Sequence, residues 1–445
     1  MTRLKLVTDR SAEFAIVGAG PAGAHLAARL ASLGRTVALF DPKGAWEKPC
    51  GGGITSRGLK EYPFLLEKTS DQYNRVQTLD IISSRGRSVS VKLKYPFVVY
   101  SRRVLNGLLL QKALDAGAYF IHDAVKDLST EDGGWSVTCR DGQRWRASYL
   151  VGADGAASFT RRRLLGIFPA KDLALAVGYN LALAGDSLPR GGPASSSQAI
   201  SEADFGRLSA KAVVRFAKGF RGYFWAFPRT TEINFGAACR LGERTGEQLR
   251  TLLAEFMGET LAGANPDSPG LSFFAAKIPI LDRNTWPNLR ASGDGWALIG
   301  DAAGFVDPLT GEGIYFALRS ADLLFQSLTN PGKPLLHQDE CDESGSVSGQ
   351  SKVSSGTGRY DGVAETYETS WRSEFGVELQ RASQLLDRFY DSRFCGMAFD
   401  DAMVKLARLH RGIRRVMVRC VVGEQNYTTL KADLVRSLPN IFGRG

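Results

Sequence analysis

A chain of 445 residues, 44% hydrophobic and 23% charged, has the make-up of a globular protein and is too long for one compact unit, so two or three lobes are expected and global disorder is not. The net charge of +10 suits an anionic partner, either a phosphorylated substrate or an acidic lipid surface. No zinc-finger, RNP or basic heptad pattern directs that charge to nucleic acid, and six cysteines without a C-x-x-C pair fit a reducing compartment better than a zinc site.

The first residues carry Arg3, Lys5, Asp9, Arg10 and Glu13, which leave no apolar core for a secretory signal, and no run approaches the roughly 18 apolar residues of a spanning helix. A cytoplasmic protein is expected, with a peripheral membrane contact as the second option. Phe14 to Val17 then reads as a buried strand. Ala22, Leu26, Leu30 and Leu33 recur at helical spacing until Gly34, and Val37 to Phe40 is a second buried strand.

Between strand and helix stands Gly18-Ala19-Gly20-Pro21-Ala22-Gly23, a G-x-G-x-x-G run in the context that motif requires. Gly18 permits the tight turn, Gly20 lets backbone approach a pyrophosphate, and Gly23 allows close helix packing. The helix N-terminus attracts the anion, with Pro21 and Ala22 opening it. Asp41 ends the second strand 18 residues after Gly23 (41 − 23), where a carboxylate accepts hydrogen bonds from an adenosine ribose. This much predicts a dinucleotide site without separating NAD from FAD.

Farther along, strand-like alternation from Leu79 to Tyr100 and from Leu173 to Arg240 predicts an antiparallel second domain. Val104 to Leu114 reads as helix, and the buried runs Tyr149 to Val151 and Trp296 to Ile299 enter Gly152 and Gly300. The expected class is therefore α/β, a Rossmann-type domain made discontinuously of 11–78, 100–170 and 286–335. The substrate domain is 79–99 and 171–285, a mobile Ser/Gly-rich loop fills 336–363, and helices fill 364–445.

Three downstream pieces decide the cofactor. Gly300-Asp301-Ala302-Ala303-Gly304 resembles the second FAD fingerprint of flavin reductases and hydroxylases, whose Asp holds the ribityl chain. Gly152-Ala153-Asp154-Gly155 resembles their DG fingerprint, and Ser101-Arg102 ahead of a helix resembles their Arg contact. FAD is the cofactor these resemblances imply, and Val125 is counted with its contacts. Gly311-Glu312-Gly313-Ile314 opens a further helix, whose N–H groups would face the flavin N1–C2=O edge and stabilise negative charge there.

Pro49-Cys50-Gly51-Gly52-Gly53, Tyr223-Phe224-Trp225-Ala226-Phe227-Pro228 and the run from Gly300 to Ile314 together resemble the geranylgeranyl reductase family. The resemblance implies a para-hydroxybenzoate-hydroxylase-like fold and saturation of isoprenoid double bonds on diphosphates, chlorophyll precursors, lipids or quinone tails. On a strand, Tyr223, Trp225 and Phe227 share one face and could wall a prenyl tunnel, or they could be three core aromatics. Gly51 and Gly52 would let the Cys50 loop approach the flavin. Cys50 itself would position the alkene or deliver the proton its reduction requires, unless it is merely a small buried hydrophobe.

The run Phe305-Val306-Asp307-Pro308 also resembles flavin-dependent halogenases, so a monooxygenase or halogenase acting on an aromatic is the alternative function. No second G-x-G-x-x-G offers a resident nicotinamide domain. The reductant is expected from outside, as NAD(P)H or from a donor protein such as a ferredoxin. Finally Lys405, Arg408, Arg411, Arg415 and Arg419 run at helical spacing beside Leu406, Leu409, Ile413, Val416 and Cys420. Such a helix either lies on an anionic membrane or packs its apolar side on the protein.

Overall fold

The computed structural model describes residues 10–67, 72–183, 200–262, 264, 266, 271–332, 360–394 and 396–437. Residues 336–359 of the Ser/Gly-rich loop predicted over 336–363 lie outside them. The chain opens as β1 (Arg10–Val17), α1 (Pro21–Ser32) and β2 (Val37–Phe40), then β3 (Gly53–Ile54) and α2 (Ser56–Glu61). Ala22, Leu26 and Leu30 are buried, whereas Leu33 falls at the C-cap and is 56% exposed, because Gly34 turns left-handed there (φ 74°) and ends the helix.

The chain continues with β4 (Tyr73–Ile82), β5 (Ser88–Tyr100), α3 (Arg102–Asp115), β6 (Tyr119–Ile121), β7 (Val125–Glu131), β8 (Gly134–Cys139), β9 (Arg144–Gly152) and α4 (Phe159–Leu164). Next come β10 (Leu173–Ala182), α5 (Glu202–Leu208), β11 (Lys211–Phe216), β12 (Gly222–Pro228), β13 (Glu232–Arg240), α6 (Gly246–Thr260), β14 (Leu271–Pro279), β15 (Ser292–Gly293) and β16 (Trp296–Leu298). Helices α7 (Ile314–Thr329), α8 (Val363–Trp371), α9 (Val377–Asp391), α10 (Phe399–Leu409), α11 (Arg411–Val421) and α12 (Leu430–Arg436) complete it.

Two eight-stranded sheets result. The first runs β15-β16-β9-β1-β2-β6, with parallel pairing from β16 to β6 and the antiparallel β7 and β8 hung from β9. Its strands carry near-continuous Val, Ile, Leu, Ala and Phe because both faces are covered, and α1, α3, α7 and α8 share its core. The second sheet runs β14-β10-β13-β12-β11-β4-β5-β3 and is antiparallel except where β11 meets β4 in parallel.

β4 starts at Tyr73, so residues 73–78 belong to the second sheet and not to the cofactor domain in which the sequence boundary at 79 had placed them. Phe224 and Ala226 of β12 pack under α6 with Phe235, Leu253 and Phe256. The other face of β12 carries Tyr223, Trp225 and Phe227.

The basic C-terminal segment is not one helix. It breaks at His410, whose backbone is extended (φ −118°, ψ 117°), and the halves α10 and α11 fold against each other. Val404, Ala407, Ile413 and Val418 join the core of β4 and β5, and Val416 is buried as well. The apolar stripe offered to lipid is therefore spent mostly on the protein, with Leu409 exposed.

Candidate functional site

One cavity of about 1310 Å³ runs between the two sheets. A drug-sized ligand needs roughly 300–1,000 Å³, so there is room here for a dinucleotide and part of a second molecule. At one end it is lined by Gly18, Gly20, Pro21 and Ala22, by Asp41, by Val125, by Arg102 and by Asp154 with Gly155. Asp301, Gly311, Gly313 and Ile314 line its middle with Cys50, Gly51 and Gly52, and Tyr223, Trp225 and Phe227 face the same space. Gly23, the third glycine of the turn motif, is not among the lining residues. A Cβ there would strike the Gly18 carbonyl and approach Ala153 Cβ at 3.0 Å, so Gly23 seats the helix on the turn and does not line the cavity.

The turn at β1 is built by Gly18, at φ 103° and with no space for a Cβ against the Ala153 carbonyl. A Cβ on Gly20, by contrast, would meet nothing within 4 Å, which leaves bare backbone facing the open cleft at the start of α1. Asp41 ties this turn to its neighbour: Oδ2 accepts from Ala19 N at 2.9 Å and Oδ1 from Lys43 N at 2.8 Å and Gly44 N at 2.9 Å. Asp154 is engaged by Ser158 Oγ and by Thr160 N at 2.9 Å, so its carboxylate shapes the entry to α4.

Arg102 is 4% exposed, donates to Asn106 Oδ1 at 3.1 Å, and keeps a buried Nε without a partner among the described residues. A free buried donor beside a bare glycine turn fits an anionic dinucleotide. Lys48, which sequence reading passed over, crosses the cleft to Asp301 at 3.3 Å. It adds a cation next to that site.

Glycines of the Cys50 loop also serve close contacts within the protein. Added Cβ atoms on Gly51 and Gly53 would lie 2.9 Å from Phe227 Cδ2 and 2.7 Å from Phe97 Cζ, and one on Gly52 (φ 79°) would strike the Tyr100 carbonyl. Close approach to the aromatic wall and to β5 demands them. Cys50 Sγ accepts from Gly52 N at 3.3 Å and is half-buried.

The wall is held firmly. Tyr223 donates its hydroxyl hydrogen bond to the Thr310 carbonyl, and Trp225 Nε1 donates to Asn234 Oδ1 at 2.7 Å. Trp225 lies across its register partner Gly236, where a Cβ would enter the indole ring. Gly236→Ala must therefore evict Trp225, with an overpacking cost of about 1–3 kcal/mol. Urea unfolding and tryptophan emission check this, and an unchanged emission spectrum in a fully stable variant would contradict it.

Sequence reading also missed a buried acid network. Glu312, noted only for its flanking glycines, lines the cavity and accepts from Thr55 Oγ1. Arg57 is 4.0 Å from Glu312 but bonded to Glu378 at 3.0 Å. Burial pushes Glu312 up to about 7, against the pull of Arg57 and Thr55. Asp307, 2% exposed, accepts from Leu309 N, Thr310 Oγ1 and Tyr427 Oη, each at 2.8 Å.

Beyond the wall the cavity continues past Phe216, Phe389, Phe399, Met403 and Met417 to Phe394 and Val435, which are 48% and 57% exposed. Arg381 and Arg388 of α9 and Lys431 of α12 line this outer part, and none of the three has a carboxylate partner among the described residues.

A family model described as "FAD binding domain" matches residues 11–333, well over half the chain. The chain belongs to the FAD binding domain family. It is an FAD flavoprotein of the oxidoreductase class. As a family member it is 28% identical over 316 residues to the geranylgeranyl diphosphate reductase of Rhodobacter capsulatus, covering 68% of this chain and 71% of that one. In fold it is similar to a geranylgeranyl bacteriochlorophyll reductase-like protein of Thermoplasma acidophilum, with a TM-score of 0.67, 18% identity and 97% of each chain covered. It is also similar to a flavin-dependent brominase, with a TM-score of 0.63, 13% identity and coverage of 96% and 98%. The predicted α/β flavoprotein fold and the resemblance to geranylgeranyl reductases both hold.

Proposed function

We propose that this FAD-dependent oxidoreductase reduces carbon–carbon double bonds of a prenyl chain. The carrying observation is that one cavity is lined both by the glycine turns and Cys50 and by the Tyr223–Trp225–Phe227 wall together with apolar residues of the C-terminal helices. Bound FAD would supply the electron pair. Gly18, Gly20, Asp41, Arg102 and Asp301 would hold it, with Lys48 as an added cation. The aromatic wall would grip successive isoprene units and keep water out, and the Cys50 thiol would place or protonate the alkene. An external donor, NAD(P)H or a ferredoxin-like protein, would recharge the cofactor.

The test is anaerobic. Photoreduced holoprotein mixed with a geranylgeranyl-chain substrate should be reoxidised without oxygen, with product mass rising by two hydrogens per bond. Reoxidation that requires oxygen and yields a hydroxylated or halogenated aromatic would establish the monooxygenase or halogenase alternative instead.

Arg381, Arg388 and Lys431 around an exposed apolar mouth support an anionic headgroup and entry from an anionic membrane surface. Co-sedimentation with anionic vesicles is expected at low salt, to weaken at high salt, and to fall with Arg388→Glu/Lys431→Glu. Equal recovery of wild type and variant in the supernatant under every condition would remove the membrane from the scheme. No helix among the described residues is long and apolar enough to cross a membrane.

A further inference from the structure

Arg229 follows β12 directly and is 1% exposed, which makes it one of the largest fully buried side chains among the described residues. A buried guanidinium persists only when its charge is matched, and the partners of this one come from the start of β13 and from the loop between β2 and β3, while its Nε has no partner among the described residues. Nη1 meets Glu232, the first residue of β13, and Glu47 at 3.0 Å. Nη2 donates to the Cys50 carbonyl at 2.9 Å.

Glu47 is itself shared. Its carboxylate accepts from Ser101 Oγ at 2.6 Å and from the amides of Arg102 and Arg103 at 3.1 Å each, at the N-terminus of α3. Burial pushes the Glu47 carboxyl up, yet Arg229 and these hydrogen bonds outweigh it and hold the group below the usual carboxylate range. One planar fork thus joins the aromatic strand, the Cys50 loop and the helix that carries Arg102. The two directions of donation are what a lysine cannot reproduce.

We propose that Arg229 is a positioning residue that fixes the backbone of Cys50 between the cofactor turn and the aromatic wall. Cys50 sits at the head of three glycines, a stretch with little stiffness of its own, so its placement has to come from outside the loop. Arg229 supplies it from the strand that bears the wall, which keeps thiol and wall in register. The importance of that register rests on the proposed reductase reading; the anchoring does not.

The experiment uses full-length, FAD-loaded protein and needs no substrate. Cys50 alkylation by iodoacetamide is followed by peptide mass spectrometry, with Cys420, half-buried on α11 and lining the same cavity, as the internal reference. Arg229→Met/Glu232→Gln removes the fork while limiting the stranded charge. Cys50 should then react roughly tenfold faster, equivalent to about 1.4 kcal/mol of lost anchoring, with Cys420 unchanged. Arg229→Lys should recover part of the protection, and it carries the test alone if the double variant does not fold. An unchanged Cys50 rate in a folded variant, or Cys50 and Cys420 accelerating together, would overturn the proposal. A protein that fails to reduce prenyl chains would still answer this question.

Discussion

Cys50→Ala is expected to keep FAD bound and to slow anaerobic single-turnover oxidation of the reduced holoprotein by a prenyl substrate by roughly 10²-fold or more. Retention follows from where the loop is held: the Glu47 carboxylate, the Cys50 carbonyl and the Gly52 backbone make its contacts, and none uses the thiol as a donor. The rate loss follows from placement, since Cys50 lines the cavity that the glycine turns and the aromatic wall also line. A positioned proton donor contributes roughly 10²–10⁴-fold, so Cys50→Ser should recover part of the loss with a weaker acid in the same place. Stopped-flow absorbance at the flavin band measures it. Alanine within twofold of wild type would reduce Cys50 to a wall residue.

Glu312→Gln should stabilise the protein at alkaline pH. Two carboxylates, Glu312 and Glu378, face the single guanidinium of Arg57, with Asp307 and the Tyr315 ring packed nearby and Thr55 donating. Burial raises Glu312 from 4.5 to about 7, so the folded state holds a proton that the unfolded chain releases earlier. That contribution is fully present below about pH 4.5 and is lost as pH rises through about 7. Glutamine keeps the shape and an acceptor for Thr55 without the titration. The variant should match wild type near pH 4 and exceed it by about 3 kcal/mol at pH 8, at roughly 1.4 kcal/mol per pKa unit. Urea midpoints of FAD-saturated samples across that range read the difference. A variant weaker than wild type at pH 8 would mean that the ionised carboxylate is needed.

What could be read from the amino-acid order was local. Gly18, Gly20 and Asp41 declare themselves because turn, helix start and strand end fall within one βαβ unit, and the shared face of Tyr223, Trp225 and Phe227 follows from strand alternation alone. Arg229 and Glu47 were invisible for the opposite reason. They are 182 positions apart (229 − 47), and a single ion pair leaves no periodic trace. An amphipathic stripe shows that a surface is covered without naming the cover, so Ile413 and Val416 pointed equally to lipid and to β4 and β5. The break at His410 is marked only by Gly412, which stands in the first turn of α11 and not at the bend itself. Glu312 stood in plain view inside a quoted motif, but its burial depends on Thr55, Arg57 and Gly423 brought in from elsewhere.

The parallel seam between β4 and β11 constrains how this chain can reach its native state. It pairs Thr78 with Lys211, 133 positions apart (211 − 78), and the whole of α3 to α4 is threaded between them. The first sheet is likewise incomplete until β16 docks beside β9, some 146 positions later (Trp296 − Leu150). The second sheet cannot close before β14 ends at Pro279, nor the first before β16 ends at Leu298, so strand edges stay open through much of synthesis. No single cut separates them into independently folding halves. Truncations at 170 or 285 should yield insoluble fragments, and soluble expression should depend more on chaperone supply during synthesis than on the stability of the finished protein.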